Sequence, residues 1–264
     1  MKMNYITYIL LFIALGISQM ATAQYAYFPN EGTITFDKTI HAKNLLKRHI
    51  ATLKDGDLSR QYFEGLVSKV PETVVVPKKF SFRGNEMSLE PIEKEQTEIV
   101  KRLLQMGLLD YGALIYQNLD KKQSMMYMEM GGSEVAIQDS LTNVTWKLTN
   151  EYRNIAGYDC RRANGVTLDS VYVVAFYTDQ IPISAGPSTV HGLPGMILGL
   201  AIPEQHYNMY ASKVELSAAT VKSDIFKKKA KAKTRTETTV LMKQAFGQWI
   251  NDKQFGLIIA AMFL

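Results

Sequence analysis

The chain has 264 residues, 47% of them hydrophobic and 21% charged, and a formal net charge of +5. That balance excludes a disordered or low-complexity chain and supplies enough apolar residues for a sizeable core. A single cysteine, Cys160, excludes an internal disulfide and thiolate-rich zinc sites, so the core must hold the fold unaided.

Residues 1–23 read as an export signal that is removed. Lys2 precedes an apolar run from Ile6 to Ile17, and Ala21-Thr22-Ala23 forms a small-residue cleavage site. The run is shorter than the ~20 residues a transmembrane helix needs, and no other window approaches that length, so no transmembrane segment is expected. Gln24, and not the cysteine of a lipoprotein, follows the expected cut. Residues 24–264 are expected to form one domain, periplasmic or secreted.

The first strand signal is GTITF, residues 32–36, with Ile34 and Phe36 on one side and Thr33 and Thr35 on the other. Two amphipathic helices follow. One groups Leu45, Leu46 and Ile50, and the other groups Phe63, Leu66, Val67 and Val70, with Asp57 as its cap and Pro71 as its stop. TVVVPKKFSF and MSLEPI read as extended segments broken by Pro77 and Pro91. A short helix before Gly107 presents Ile99, Leu103 and Met106 as its packing face.

From residue 112 onward the pattern becomes repeated short strands separated by turns, the mark of an antiparallel sheet. ALIYQNL, SMMYMEM, EVAIQDS, VTWKLTN and YDCRRA are such segments, and SVYVVAFYT, residues 170–178, is apolar on both faces and reads as a central strand. GMILGLAIP and HYNMYASKVEL read as a further antiparallel pair. The Lys-rich stretch 221–235 is expected to be a solvated loop, and its lysines carry no interleaved aromatics, which argues against nucleic acid. A helix is expected near 237–250, with Val240, Leu241, Phe246, Trp249 and Ile250 covering the sheet. The tail FGLIIAAMFL is expected to dock as an edge strand or a last helical turn. The fold class is α+β: a curved, mainly antiparallel sheet of about seven to nine strands against a few helices.

Catalytic signals are sparse. His41, His49, His191 and His206 match no zinc signature, and His41 and His49 read as solvated helix residues. Asp55 and Asp57 lack the further oxygen ligands of a calcium loop. There is no G-x-S-x-G and no phosphate-cradling loop, so no cofactor is expected. Cys160 reads as a buried thiol or, alternatively, as a reactive one activated by Arg161 and Arg162.

SAGPSTVHGLPGMILGLAIP, residues 184–203, concentrates glycine and proline around a short apolar run. Pro194-Gly195 suits the centre of a type II turn, Leu193 is biased to extended backbone, and Met196 enters a strand. The rim of this loop supplies the candidate ligand residues: Gly186, Pro187, His191, Gly192, Leu193, Pro194 and Gly195.

WKLTNEYRNIAGYDCRRANG, VVAFYTDQIPISAGP and HGLPGMILGL together resemble the GLPGLI family of exported Bacteroidota proteins, with Met196 in place of a leucine. YFPNEGTITFDK, residues 27–38, is similar to that family's opening strand. The resemblance implies a secreted or envelope-associated β-rich protein without an established activity, and no catalytic residues to carry over. Two functions stand against each other. One is a non-enzymatic binding or accessory protein holding a hydrophobic or peptide ligand, or another envelope protein. The other is an envelope hydrolase using Cys160 or a carboxylate pair from Asp159, Asp169 and Asp179.

Overall fold

The computed structural model describes residues 29–264 apart from 131, 168, 227–229 and 248–250. The expected export signal and the side chains of Phe246, Trp249 and Ile250 lie outside the described residues. Eleven strands form one antiparallel sheet in the order β6-β5-β4-β3-β2-β1-β11-β10-β9-β8-β7. The strands are β1 (Glu31–Ile40), β2 (Val74–Arg83), β3 (Glu86–Pro91), β4 (Leu114–Asn118), β5 (Gln123–Met130) and β6 (Ser133–Ser140) in the first half. The second half gives β7 (Val144–Ile155), β8 (Tyr158–Thr167), β9 (Tyr172–Thr178), β10 (Met196–Ile202) and β11 (Tyr207–Glu215). Each half is thus a meander, and the two are sewn together where β1 pairs with β11.

The connection from β6 to β7 reveals the sheet's shape. These strands are the two opposite edges, yet only residues 141–143 separate them. Four extended steps from Ser140 to Val144 reach at most about 14 Å, so the edges converge at that end and the sheet coils into an open barrel. All eleven apolar segments of the sequence enter this one sheet, which exceeds the expected seven to nine strands.

Alternation places one face inside. Ile34, Phe36 and Ile40 of β1 stand opposite Phe80, Lys78 and Val74 of β2, and Phe80 and Phe82 continue the inner face toward Leu89 and Met87 of β3. Phe36 and Phe80 meet edge to face at 6.0 Å between ring centroids. Pro77 does not break β2. Its carbonyl accepts from the Ile92 N–H at 2.9 Å, so the side lacking an N–H faces the end of β3, where the ladder requires no donor.

Helices α1 (Ala42–Ile50) and α2 (Leu58–Val67) fill the β1–β2 connection, and the Asp57 carboxylate caps α2 by accepting the Ser59 N–H at 2.9 Å. Helix α3 (Glu98–Gln105) buries Leu103 as expected, together with Val100, and packs Ile99 against the core, whereas Met106 is 47% exposed. Helix α4 (Arg235–Phe246) opens on a reciprocal cap between Thr234 and Glu237 and buries Met242. Val240 and Leu241, expected to cover the sheet, are exposed.

The tail forms helix α5 (Asp252–Phe263), neither an edge strand nor a single turn. Its residues Phe255, Ile259, Ala260, Met262 and Phe263 are all buried, and a short run apolar on every side gives no periodicity from which to choose helix over strand. The Lys-rich stretch also differs from a solvated loop. Val221, Ile225 and Phe226 pack on Tyr116, Tyr127 and Ala136, which project from the outer face of β4–β6. Beyond them Lys233 exchanges backbone hydrogen bonds with Ala136 and Gln138, covering part of the β6 edge. Among the described residues no helix is long and apolar enough to cross a membrane.

Candidate functional site

A cavity of about 610 Å³ opens where α1, the turn after α3, α5 and the β1–β11 seam meet. Most of its wall is apolar: Leu45, Leu46 and Leu53 from α1 and the turn after it, and Leu257, Ile258 and Ala261 from α5. The amphipathic spacing of α1 turns Leu46 and Ile50 toward the core and leaves Leu45 partly exposed on the cavity side. Helix α5 is held over the cavity by Gln205 Nε2, which donates to the Leu257 carbonyl at 3.3 Å, and by the Tyr207 hydroxyl, which donates to the Leu264 backbone oxygen at 3.2 Å.

Beneath this apolar wall lies a buried charge triad. Lys38 and Lys78 occupy inward positions of β1 and β2, diagonal to each other across the ladder. Asp110, from the turn after α3, accepts from Lys38 at 2.7 Å through Oδ2 and from Lys78 at 2.5 Å through Oδ1. The same Oδ1 accepts the Gly112 N–H at 2.8 Å. Burial alone would raise the Asp110 carboxyl, but the two ammonium groups override it and hold it far below the usual carboxylate range. Burial also pulls both lysines down. For Lys38 the attraction of Asp110 outweighs that cost and leaves its pKa raised, while Lys78, less exposed and repelled by Lys38, is lowered. The Lys38 ammonium further sits 4.1 Å above the Tyr207 ring, and burial pushes the Tyr207 phenol up to about 12.

Arg48, on the last turn of α1, is the second cation of the cavity. Its Nη1 donates to the Glu204 carbonyl and its Nη2 to Gln205 Oε1 at 3.2 Å, so both close partners are neutral acceptors. Burial lowers its pKa, with the Glu204 carboxylate opposing that from a distance. His49 is half-buried against Phe63, ring centroids 4.7 Å apart, where burial and then Arg48 lower its pKa and leave it neutral at pH 7. It lines the cavity and packs on Phe63, and is not the solvated residue expected. Among the described residues no group of three or more histidine, cysteine, aspartate or glutamate side chains is placed to hold a metal ion.

The loop that sequence reasoning singled out lies elsewhere. Gly186 and Pro187 are buried, and a Cβ on Gly186 would stand 2.6 Å from that of Ile197. His191 is half-buried, with burial lowering its pKa, and its carbonyl accepts the Trp146 indole N–H at 2.9 Å. Gly192 donates its N–H to Ser184 Oγ at 3.0 Å, Leu193 is buried and Pro194 is exposed. The Gly195 N–H bonds the Leu193 carbonyl at 2.8 Å, which closes a tight turn about Pro194. The expected type II turn would need the Met196 N–H, but that group is taken by the Ile181 carbonyl at 2.9 Å. The structure thus sets Gly186 against Ile197, Gly192 on Ser184 and Gly195 against the Thr178 carbonyl.

None of these loop residues lines the cavity. Their link to it is Thr189, whose hydroxyl donates to the Phe263 carbonyl of α5 at 2.6 Å, while its own carbonyl accepts from Gln117. Cys160 is fully buried in β8, its Sγ 3.5 Å from the Tyr158 carbonyl, and burial pushes its thiol up to about 12. Arg161 and Arg162 instead serve β7: Arg161 donates to the Thr149 carbonyl at 2.6 Å and Arg162 to the Glu151 carboxylate at 2.6 Å. A thiol in that state is a weak source of thiolate at neutral pH.

Sequence reasoning missed Lys38, Lys78, Asp110 and Arg48. The two lysines did carry a signal, because each interrupts an apolar alternation at an inward position: Ile34, Phe36, Lys38, Ile40 and Val74, Val76, Lys78, Phe80. Residues 165–199 match a family model described as a protein of unknown function (Porph_ging), a family associated with Bacteroidota. The match runs from the end of β8 through β9 and the Gly/Pro loop into β10. No curated protein matches the chain.

Proposed function

We propose that the chain is an exported, non-enzymatic binding protein of the cell envelope, of the GLPGLI type, whose ligand occupies the cavity under α1 and α5. The observation that carries this reading is the cavity itself: about 610 Å³, with a mainly apolar wall to which seven leucines contribute, and a few polar groups converging from β1, β11 and α1. That size and lining suit a small amphipathic molecule. The pattern of residues 1–23 supports export, and the GLPG-containing loop, joined to α5 through Thr189, supports a scaffold role for the part of the chain that the family match covers. The raised Cys160 thiol speaks against the nucleophilic alternative.

Mass spectrometry of an organic extract tests the reading, on protein purified natively from a cell that exports it. The wild-type extract is expected to hold a small amphipathic molecule in near-stoichiometric amount. Ala261→Trp, which places an indole in the cavity, is expected to lose it. Equal extracts from the two proteins would contradict the reading.

A further inference from the structure

The charges lining the cavity do not cancel. Lys38 lines the cavity and Lys78 lies behind it, and the two share the single carboxylate of Asp110, so the triad carries one positive charge in excess while both amines are protonated. Arg48 adds a second: its close partners are a backbone carbonyl and a side-chain amide, and the Glu204 carboxylate, which acts on it from a distance, is exposed to solvent. At the rim the exposed Lys54 and Asp57 offset each other. Burial and then the neighbouring Arg48 disfavour the charged form of His49. The site is therefore a mainly apolar chamber with a net positive potential, and field lines concentrate in such a low-dielectric cleft.

The two cations are not equivalent. The Lys38 ammonium is already committed to Asp110 and to the face of Tyr207. Arg48 has five N–H donors in a planar fork, of which two contacts are used, and it borders the leucines of its own helix, Leu45 and Leu46. A planar monoanion fits that remaining edge. A cationic or neutral head group would leave the excess charge unanswered.

We infer that the ligand is a single-chain aliphatic carboxylic acid, its carboxylate seated on Arg48 and its chain laid against the leucine wall formed by α1 and α5. This inference rests on the cavity being a ligand site and deepens that reading by naming the chemical class. Arg48 acts as the binding residue, and the Lys38–Asp110–Lys78 triad adds attraction from below without touching the head group.

The test is displacement of N-phenyl-1-naphthylamine, an uncharged apolar fluorophore, from the mature full-length protein at neutral pH. Decanoate and decan-1-ol serve as competitors, having equal chains and different heads. Decanoate is expected to displace the probe at roughly 10- to 100-fold lower concentration, the range of a charge-assisted hydrogen bond. Arg48→Gln is expected to close that gap while leaving decan-1-ol unchanged, and Arg48→Lys to retain part of it. Equal potency of the two competitors on the wild type overturns the carboxylate assignment, and so does a gap that survives in Arg48→Gln. The wild-type comparison stands even if Arg48→Gln fails to fold, because it uses no variant. Absence of probe binding would instead overturn the cavity reading beneath it.

Discussion

Asp110 answers two ammonium groups at once, so its removal leaves both lysines buried without a counter-charge. Asp110→Ala is expected to cost about 3–5 kcal/mol, the range for breaking a buried ion pair, read from urea unfolding. The pH dependence has a definite sign. The folded-state pKa of Asp110 is depressed below its unfolded value of 3.8, so its stabilisation is fully present above that value and is lost as pH falls through and below it. Acid unfolding of the wild type should therefore steepen below that point, and Asp110→Ala should show a shallower acid limb. At this scale the sequence was half legible. The inward lysines interrupt a readable alternation, but a strand read only to Phe36 ends before Lys38. Asp110 follows a helix that points nowhere until β1 and β2 are in place, so nothing local marked it as their partner.

Elements were the most legible layer, because strand alternation and helical stripes are local. The Asp57 cap, the Gly107 stop and the antiparallel β10–β11 pair all stand where the residues indicated. Failures came where a distant group decided the outcome. The turn at Pro194 differs from type II because Ile181 claims the Met196 N–H, a contact between segments fifteen residues apart in the sequence. The packing of Gly195 has the same origin, since a Cβ there would fall on the Thr178 carbonyl of β9. Gly195→Ala is therefore expected to destabilise by about 1–3 kcal/mol or more through forced displacement of backbone. Gly157, in the β7–β8 hairpin, has φ of +89° with nothing within 4 Å of a Cβ, so Gly157→Ala should cost only the local strain, about 1–2 kcal/mol. Thermal unfolding of the two variants gives the order, and a larger loss at Gly157 would contradict the placement of the GLPG loop against β9.

The whole molecule is a coiled sheet whose first and last strands meet at its middle and whose edges converge through residues 141–143. Curvature and α+β class were readable from the run of short strands and flanking helices. The cavity was not. Its wall is assembled from β1, α1, the turn at 107–111, β11 and α5, the first and last of them more than two hundred residues apart, and α5 was itself ambiguous as an apolar tail. The sequence instead drew attention to the glycine-rich loop, whose density of turn residues is a strong local signal for backbone geometry. That loop supports α5 through Thr189 and Phe263, which ties the conspicuous motif to the inconspicuous site. Binding of an apolar ligand in the cavity is the central claim, and a titration with N-phenyl-1-naphthylamine tests it most directly. Wild-type protein should show saturable fluorescence enhancement that Ala261→Trp and Leu45→Trp each reduce at least tenfold in affinity, with their unfolding transitions retained. Probe binding that is absent, or identical in all three proteins, would contradict it.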